Sequence, residues 1–161
     1  MVRVGVSGLV PFFVVPVLTD GLGEETGWRG FALPRLLDRT GPLPASLFLG
    51  VVWAVWHLPL FWTVGRDAYG APFVIMLVEL PAMSVLYTWV FQHTAGSALL
   101  AILFHASGNL SSVGAAYADT VRSALVMLLL KWMLAGAVAA YWLRRAPRTP
   151  VGTQGKAEGA P

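Results

Sequence analysis

Four long apolar segments constrain the fold of this chain more than any other feature. They cover residues 43–64, 71–91, 96–117 and 123–143. Each has about the 20 residues that an α-helix needs to cross a hydrocarbon core roughly 30 Å thick. A helix satisfies its own backbone hydrogen bonds in lipid, whereas an open sheet leaves unpaired groups at its edges. The pattern therefore predicts an all-α, polytopic transmembrane helical bundle.

The composition supports the same class. Of the 161 residues, 57% are hydrophobic and 12% are charged, which is about half the charged fraction of a typical soluble domain. A shorter apolar segment at residues 4–19 brings the predicted number of spans to about five. Residues 146–161 are polar and rich in Pro and Gly, which predicts a disordered tail after a membrane-embedded domain of residues 1–145. The chain has no cysteine, so disulfides, thiolate catalysis and cysteine-ligated metals are excluded.

The positive charges lie in the loops and the tail rather than in one patch, which favours a topology signal over nucleic-acid binding. On a five-span topology, one side holds seven cations: Arg29, Arg35, Arg39, Arg144, Arg145, Arg148 and Lys156. The other side holds three: Arg3, Arg66 and Arg122. The excess predicts a multi-pass protein of the cell membrane with its C-terminal tail in the cytosol.

Several polar side chains interrupt the apolar segments. His57 lies in the segment 43–64, and His105 and Asn109 lie in the segment 96–117. Polar and ionisable residues within a span are costly, at least about 3 kcal/mol for a charge, and are candidates for function. His105 and Asn109 are four residues apart and share one face of a helix. Because their segment is rich in small residues that allow close helix packing, we expect this face to meet protein rather than lipid. Polar contacts between helices are the simpler alternative for each of the three.

Glu79 and Lys131 are predicted to form a structural ion pair. Each lies eight residues after the outer start of its span, so both are about 12 Å deep at the helical rise per residue. Pairing removes much of the cost of burying either charge.

The stretch GLGEETGWRG, residues 21–30, places two adjacent carboxylates and a cation at the end of an apolar run. Glu25 and Arg29 have the spacing and order of a favourable helical ion pair. Glu24 then points about 100° away from that pair, free to face a cavity. Taken alone, the same charges also fit a cluster that ends a span and sets topology.

Three motifs resemble those of one family. EETGWR, residues 24–29, fits EExxxR; WAVWH, residues 53–57, fits an aromatic residue followed by xxxH; and HASGN, residues 105–109, fits HxxxN. Their order and their placement on successive apolar segments resemble the CPBP intramembrane proteases, also called the Abi family. That family includes type II CAAX prenyl endopeptidases and bacteriocin-processing or immunity proteins.

The resemblance implies an intramembrane endopeptidase. Glu24 would activate a water with the assistance of His57, and His105 and Asn109 would stabilise the oxyanion formed at the peptide carbonyl. The supporting residues would be Glu25, Arg29 and Trp53. A general base must reach the water that it deprotonates, and preorganised donors at an oxyanion are typically worth about 3–4 kcal/mol each.

The resemblance also implies a peptide or protein substrate, lipidated in part of the family, in a membrane and without nucleic acid. It favours a glutamic mechanism with no cofactor. Zinc bound by Glu24, His57 and His105 is the minority alternative, since HExxH is absent and these residues lie on three segments.

The sequence departs from the family in having Trp53 where Phe is commoner. It also has about one predicted helix before EExxxR, where the family has more, so we expect a fragment, a chain whose start is set too late, or a minimal member.

Two other functions fit parts of the pattern. A membrane immunity or scaffold protein would use the same helices to bind a peptide or partner without catalysis. A small transporter or proton-coupled subunit would use Glu79 and Lys131 instead of Glu24.

Overall fold

A computed structural model describes residues 14–66, 68–116 and 121–145, with the side chains of residues 110–116 and 121 left undescribed. Within these residues every regular element is helical, which confirms the all-α prediction. The predicted tail, residues 146–161, and most of the first apolar segment lie outside the described residues.

Six α-helices form the described fold: α1 (Leu22–Gly27), α2 (Leu33–Thr40), α3 (Pro42–Trp56), α4 (Phe73–His93), α5 (Ala98–Ala116) and α6 (Val121–Arg145). Two π-helical segments, π1 (Val17–Gly21) and π2 (Trp28–Ala32), flank α1, and a 3-10 turn (Leu58–Phe61) follows α3.

Residues 17–40 form one continuous bulged helix in the order π1, α1, π2, α2. π-Helical turns are rare and occur often at functional sites. The bulged helix ends at Gly41, whose φ of 79° lies in the left-handed region that glycine adopts readily. Pro42 then begins α3, a position where the missing N–H of proline costs nothing.

The prediction of about five spans is not confirmed. Two helices are long and apolar enough to cross a membrane, α4 and residues 122–145 of α6, while α3 and the stretch 98–109 are shorter apolar helices. The predicted span 43–64 is wrong as a single helix, because α3 ends at Trp56. Pro59 lies three residues later, and proline both lacks the N–H that continues a helix and disfavours helical backbone in the residue before it.

α3 and α4 pack with their backbones in direct contact. A Cβ atom added at Gly50 would lie 2.4 Å from the Cα atom of Pro81. Ala82, next to Pro81, is fully buried in a cluster against which Leu43 and Leu47 of α3 pack. Small residues permit this approach, and the contact fixes the position of α3, which carries Trp53 and leads into His57.

Gly50→Ala is expected to lower the free energy of unfolding by about 1–3 kcal/mol, because the new methyl group must displace the α4 backbone. The matched control is Gly136→Ala in α6, where an added Cβ meets no described atom within 4 Å. That change should be neutral or stabilising, since alanine has the higher helix propensity. Melting temperatures in detergent test this, and a Gly50→Ala protein as stable as the control would contradict it.

The predicted pairing of Glu79 with Lys131 is confirmed. The Lys131 Nζ atom donates to Glu79 Oε1 and joins α6 to α4. One residue along, the Trp132 indole N–H donates to the carbonyl of Val78 at 3.1 Å. The two bonds fix the register of α6 against α4.

Glu79→Gln and Lys131→Met should each lower the free energy of unfolding, by about 1–3 kcal/mol, because the first removes the negative charge that pairs with Lys131 and the second leaves Glu79 without its donor. The double variant should lose less than the sum of the two. Melting curves of all four proteins measure this coupling, and additive losses would contradict it.

Candidate active site

Glu25 and Arg29 lie at the centre of the packed region. Both side chains are fully buried, and the Arg29 Nη1 atom donates to Glu25 Oε1 at 2.9 Å. The predicted i, i+4 pair therefore forms. Burying an ion pair is favourable only where further interactions satisfy the charges. Three other side chains supply part of them, whereas Oε2 of Glu25 and the Nε and Nη2 atoms of Arg29 are buried without a hydrogen-bond partner among the described residues.

His105 is the second partner of Glu25. Its Nδ1 atom lies 2.8 Å from the same Oε1 atom of Glu25, and its side chain is 6% exposed. Since an ionised carboxylate only accepts, Nδ1 carries the proton of this bond. Glu25 thus joins α5 to the bulged helix and orients the imidazole.

Aromatic rings enclose the guanidinium of Arg29. Its Cζ atom lies 4.6 Å from the ring centroid of Trp53 and 4.1 Å from that of Tyr87. Cation–π contacts of this kind are strongest when the cation is desolvated. Tyr87 belongs to none of the three motifs. The signal that could have indicated it is a polar aromatic residue within an otherwise apolar segment.

Glu24 points away from this pair, as its sequence position predicts. Its Oε2 atom accepts a hydrogen bond of 2.5 Å from the indole N–H of Trp53. Its Oε1 atom lies 3.9 Å from Nε2 of His57. That separation exceeds a direct hydrogen bond and suits two groups that share one water.

The orientation of His57 follows from its other nitrogen. Nδ1 lies 2.8 Å from the carbonyl oxygen of Trp53, which can only accept, so Nδ1 carries a proton. In the neutral ring, Nε2 therefore holds a lone pair and faces Glu24. Trp53 positions both groups, one through its indole and one through its backbone.

A cavity of about 460 Å³ opens beside Glu24. It is lined by Thr19, Asp20, Gly23, Glu24, Gly27, Trp28, Phe31, Ala32 and Trp56. Most of this wall comes from one side of the bulged helix, with Trp56 of α3 opposite. Its size falls within the usual range of ligand pockets.

Asn109 contacts a residue that the motifs do not include. Its Nδ2 atom donates to Asp20 Oδ2 at 3.3 Å. Asp20 lies four residues before Glu24, and that helical spacing was the signal that could have indicated it.

The structure brings Glu24 to His57, and His105 to Glu25 and Arg29, with Trp53 between the two groups. The ring centroid of Trp53 lies 5.9 Å from that of His57 and 5.7 Å from that of His105. Asn109 lies on the same helix as His105 and meets π1. Among the described residues, no group of three or more His, Asp or Glu side chains is arranged to hold a metal ion.

Comparison with known proteins shows which family the chain belongs to. A model of the type II CAAX prenyl endopeptidase Rce1-like family matches residues 6–111, a range that includes all three motifs. The chain belongs to this family. A curated relative, the CAAX prenyl protease 2 of Methanococcus maripaludis, is 32% identical over 97 residues. The match covers 55% of this chain and 35% of the relative, so the chain spans about a third of that protein. No solved structure matches the chain.

Arg29→Met should lower the free energy of unfolding by about 3–5 kcal/mol, because it leaves the buried carboxylate of Glu25 without its cation. The matched control is Arg35→Met on the same bulged helix, where the side chain is exposed and the change should stay within about 0.5 kcal/mol. Melting temperatures of the two variants in detergent make the comparison. Equal values would show that the buried pair contributes no more than a surface arginine.

Proposed function

We propose that this chain is an intramembrane endopeptidase of the glutamic type that hydrolyses a peptide bond in a prenylated substrate. Family membership supports the class of activity, and the name of the curated relative supports a CAAX substrate. The observation that carries the proposal is the position of Glu24. Its carboxylate lines a cavity, is held by Trp53 and lies 3.9 Å from His57.

In the proposed reaction, Glu24 is the general base. A water between Glu24 and Nε2 of His57 gives its proton to the carboxylate, and its oxygen attacks the carbonyl carbon of the substrate. The tetrahedral intermediate then breaks its C–N bond, and the proton held by Glu24 passes to the leaving amine. No metal takes part in these steps.

His105 and Asn109 are the proposed donors to the oxyanion. The Nδ1–H of His105 is directed at Glu25, so the ring can donate from Nε2 only as an imidazolium. The carboxylate of Glu25 accepts from that ring and stabilises the imidazolium, although it shares its one negative charge with Arg29. Glu25 and Arg29 therefore act through His105, as positioning residues.

The cavity wall suits a lipid-modified peptide. Trp28, Phe31 and Trp56 supply apolar surface, and prenylation attaches an apolar chain to the cysteine of a C-terminal C-a-a-X sequence. We place the chain in the cell membrane through α4 and α6, with the tail on the cytosolic side, because cations are in excess there.

Glu24→Gln should reduce cleavage of a farnesylated C-a-a-X peptide by about 10²- to 10⁴-fold, the usual contribution of a general base. Purified full-length protein in lipid vesicles is assayed by mass spectrometry, which also identifies the bond that is cleaved. Asp38→Asn, an exposed carboxylate on the same bulged helix, is the matched control and should retain wild-type activity.

A chelator arm tests the zinc alternative. Wild-type activity that survives the chelator supports the glutamic mechanism, and activity lost with the chelator and restored by Zn²⁺ overturns it.

Equal cleavage by wild type and Glu24→Gln would refute catalysis by Glu24. Peptide binding without cleavage would favour an immunity or scaffold role.

A further inference from the structure

We infer that Asp20 is a positioning residue that holds the amide of Asn109 for donation to the oxyanion. This inference rests on the proposed role of Asn109 and adds to it a residue outside the three motifs. It is carried by one contact, by the close packing that fixes that contact, and by the place of Asp20 in the cavity wall.

The contact joins two distant parts of the chain. Asp20 lies on π1 and Asn109 on α5, 89 residues later, with 3.3 Å between Oδ2 and Nδ2. An ionised carboxylate accepts hydrogen bonds and cannot donate them. The end of the Asn109 amide that faces Asp20 must therefore be its NH₂ group.

This choice of amide end matters for catalysis. The oxygen and nitrogen ends of a carboxamide have nearly the same shape, but only the NH₂ end can stabilise an oxyanion. One N–H of Asn109 is bonded to Asp20, and the second N–H of the same group remains for another acceptor. Without Asp20, nothing among the contacts described for Asn109 selects the NH₂ end over the oxygen.

Close packing next to Asp20 fixes the register of the contact. A Cβ atom added at Gly21 would lie 3.0 Å from Cγ2 of Ile102 and 3.2 Å from its carbonyl oxygen. Both distances are shorter than an ordinary van der Waals contact, so glycine at position 21 favours this close approach of π1 to α5. Ile102 and Asn109 are seven residues apart, about two helical turns, and share a face of α5. The contact at Gly21 therefore holds π1 against the face of α5 that carries Asn109, at a point about 10 Å away along the helix axis.

Asp20 also lines the cavity that contains Glu24. It therefore connects Asn109 to the space in which the substrate carbonyl is proposed to lie. The same location suggests a competing effect, in which the negative charge of Asp20 acts on Glu24 directly. The two effects predict different behaviour in a background that lacks the Asn109 amide.

A double-mutant cycle separates them. Full-length wild type, Asp20→Ala, Asn109→Ala and the double variant are assayed with the farnesylated C-a-a-X peptide, with Glu24→Gln and Asp38→Asn alongside. Asp20→Ala should lower kcat by about 10- to 100-fold, the scale expected for a misplaced group, with KM unchanged. In the Asn109→Ala background it should cause no further loss. Asp20→Asn keeps an acceptor oxygen and should retain more activity than Asp20→Ala.

Each contrary result has a distinct meaning. If Glu24→Gln is inactive while Asp20→Ala retains full kcat, the positioning role is wrong and the proposed function stands. The positioning role is equally wrong if Asp20→Ala loses as much in the Asn109→Ala background as in wild type, or if Asp20→Asn and Asp20→Ala lose equally. If Glu24→Gln cleaves as well as wild type, the proposed function falls, and the positioning role of Asp20 falls with it.

A cross-linking measurement keeps the contact testable where a variant fails to fold. The chain has no cysteine, so introduced thiols react without background. Asp20→Cys combined with Asn109→Cys should be cross-linked in membranes by a short bifunctional maleimide. Thr26→Cys combined with Asn109→Cys, with Thr26 exposed on α1, should not. Failure of the first pair, or equal reaction of both, would overturn the contact on which the inference rests.

Discussion

The buried carboxylate of Glu25 is the interaction on which the rest of the site depends. A single oxygen, Oε1, accepts from Arg29 on its own helix and from His105 on α5. Burying such a charge in a low-dielectric interior is costly unless both partners stay in place, so packing and electrostatics select the same arrangement. The bulged helix and α5 cannot shift relative to each other without separating this group from one of its donors.

Trp53 connects that buried centre to the cavity. Its ring covers the guanidinium of Arg29, its indole N–H holds Glu24 and its carbonyl oxygen fixes the tautomer of His57. The indole N–H explains why tryptophan suits this position: phenylalanine would supply the ring without the hydrogen bond. The contact of Gly50 with Pro81, about one helical turn before Trp53, holds α3 against α4.

The sequence predicted the local relations within the site better than the distant ones. The pairing of Glu25 with Arg29 follows from helical spacing. One distant pair outside the site, Glu79 with Lys131, was also predicted, from equal depth, although 52 residues separate the two. The bonds from Glu25 to His105 and from Asp20 to Asn109 span 80 and 89 residues, and they depend on how α5 packs against the bulged helix. No periodicity in either segment encodes that packing. The length of the apolar segments correctly predicted an all-helical fold. The length of the segment 43–64, however, predicted too long a helix, because α3 ends at Trp56, before Pro59.

The two π-helical segments have a consequence for how the bulged helix can tolerate changes in length. A π turn closes on the fifth residue instead of the fourth, so each segment holds one residue more than an α-helical turn. Deleting a residue other than Asp20, Gly21 or Arg29 within Val17–Gly21 or Trp28–Ala32 can be absorbed by conversion of that turn to α-helix. The same deletion within Leu22–Gly27 would rotate one side of the helix by about 100° relative to the other, and at Leu22 or Gly23 it would separate Asp20 from the face that carries Glu24. Deletions among related chains should therefore occur in the bulges more often than in the six residues between them.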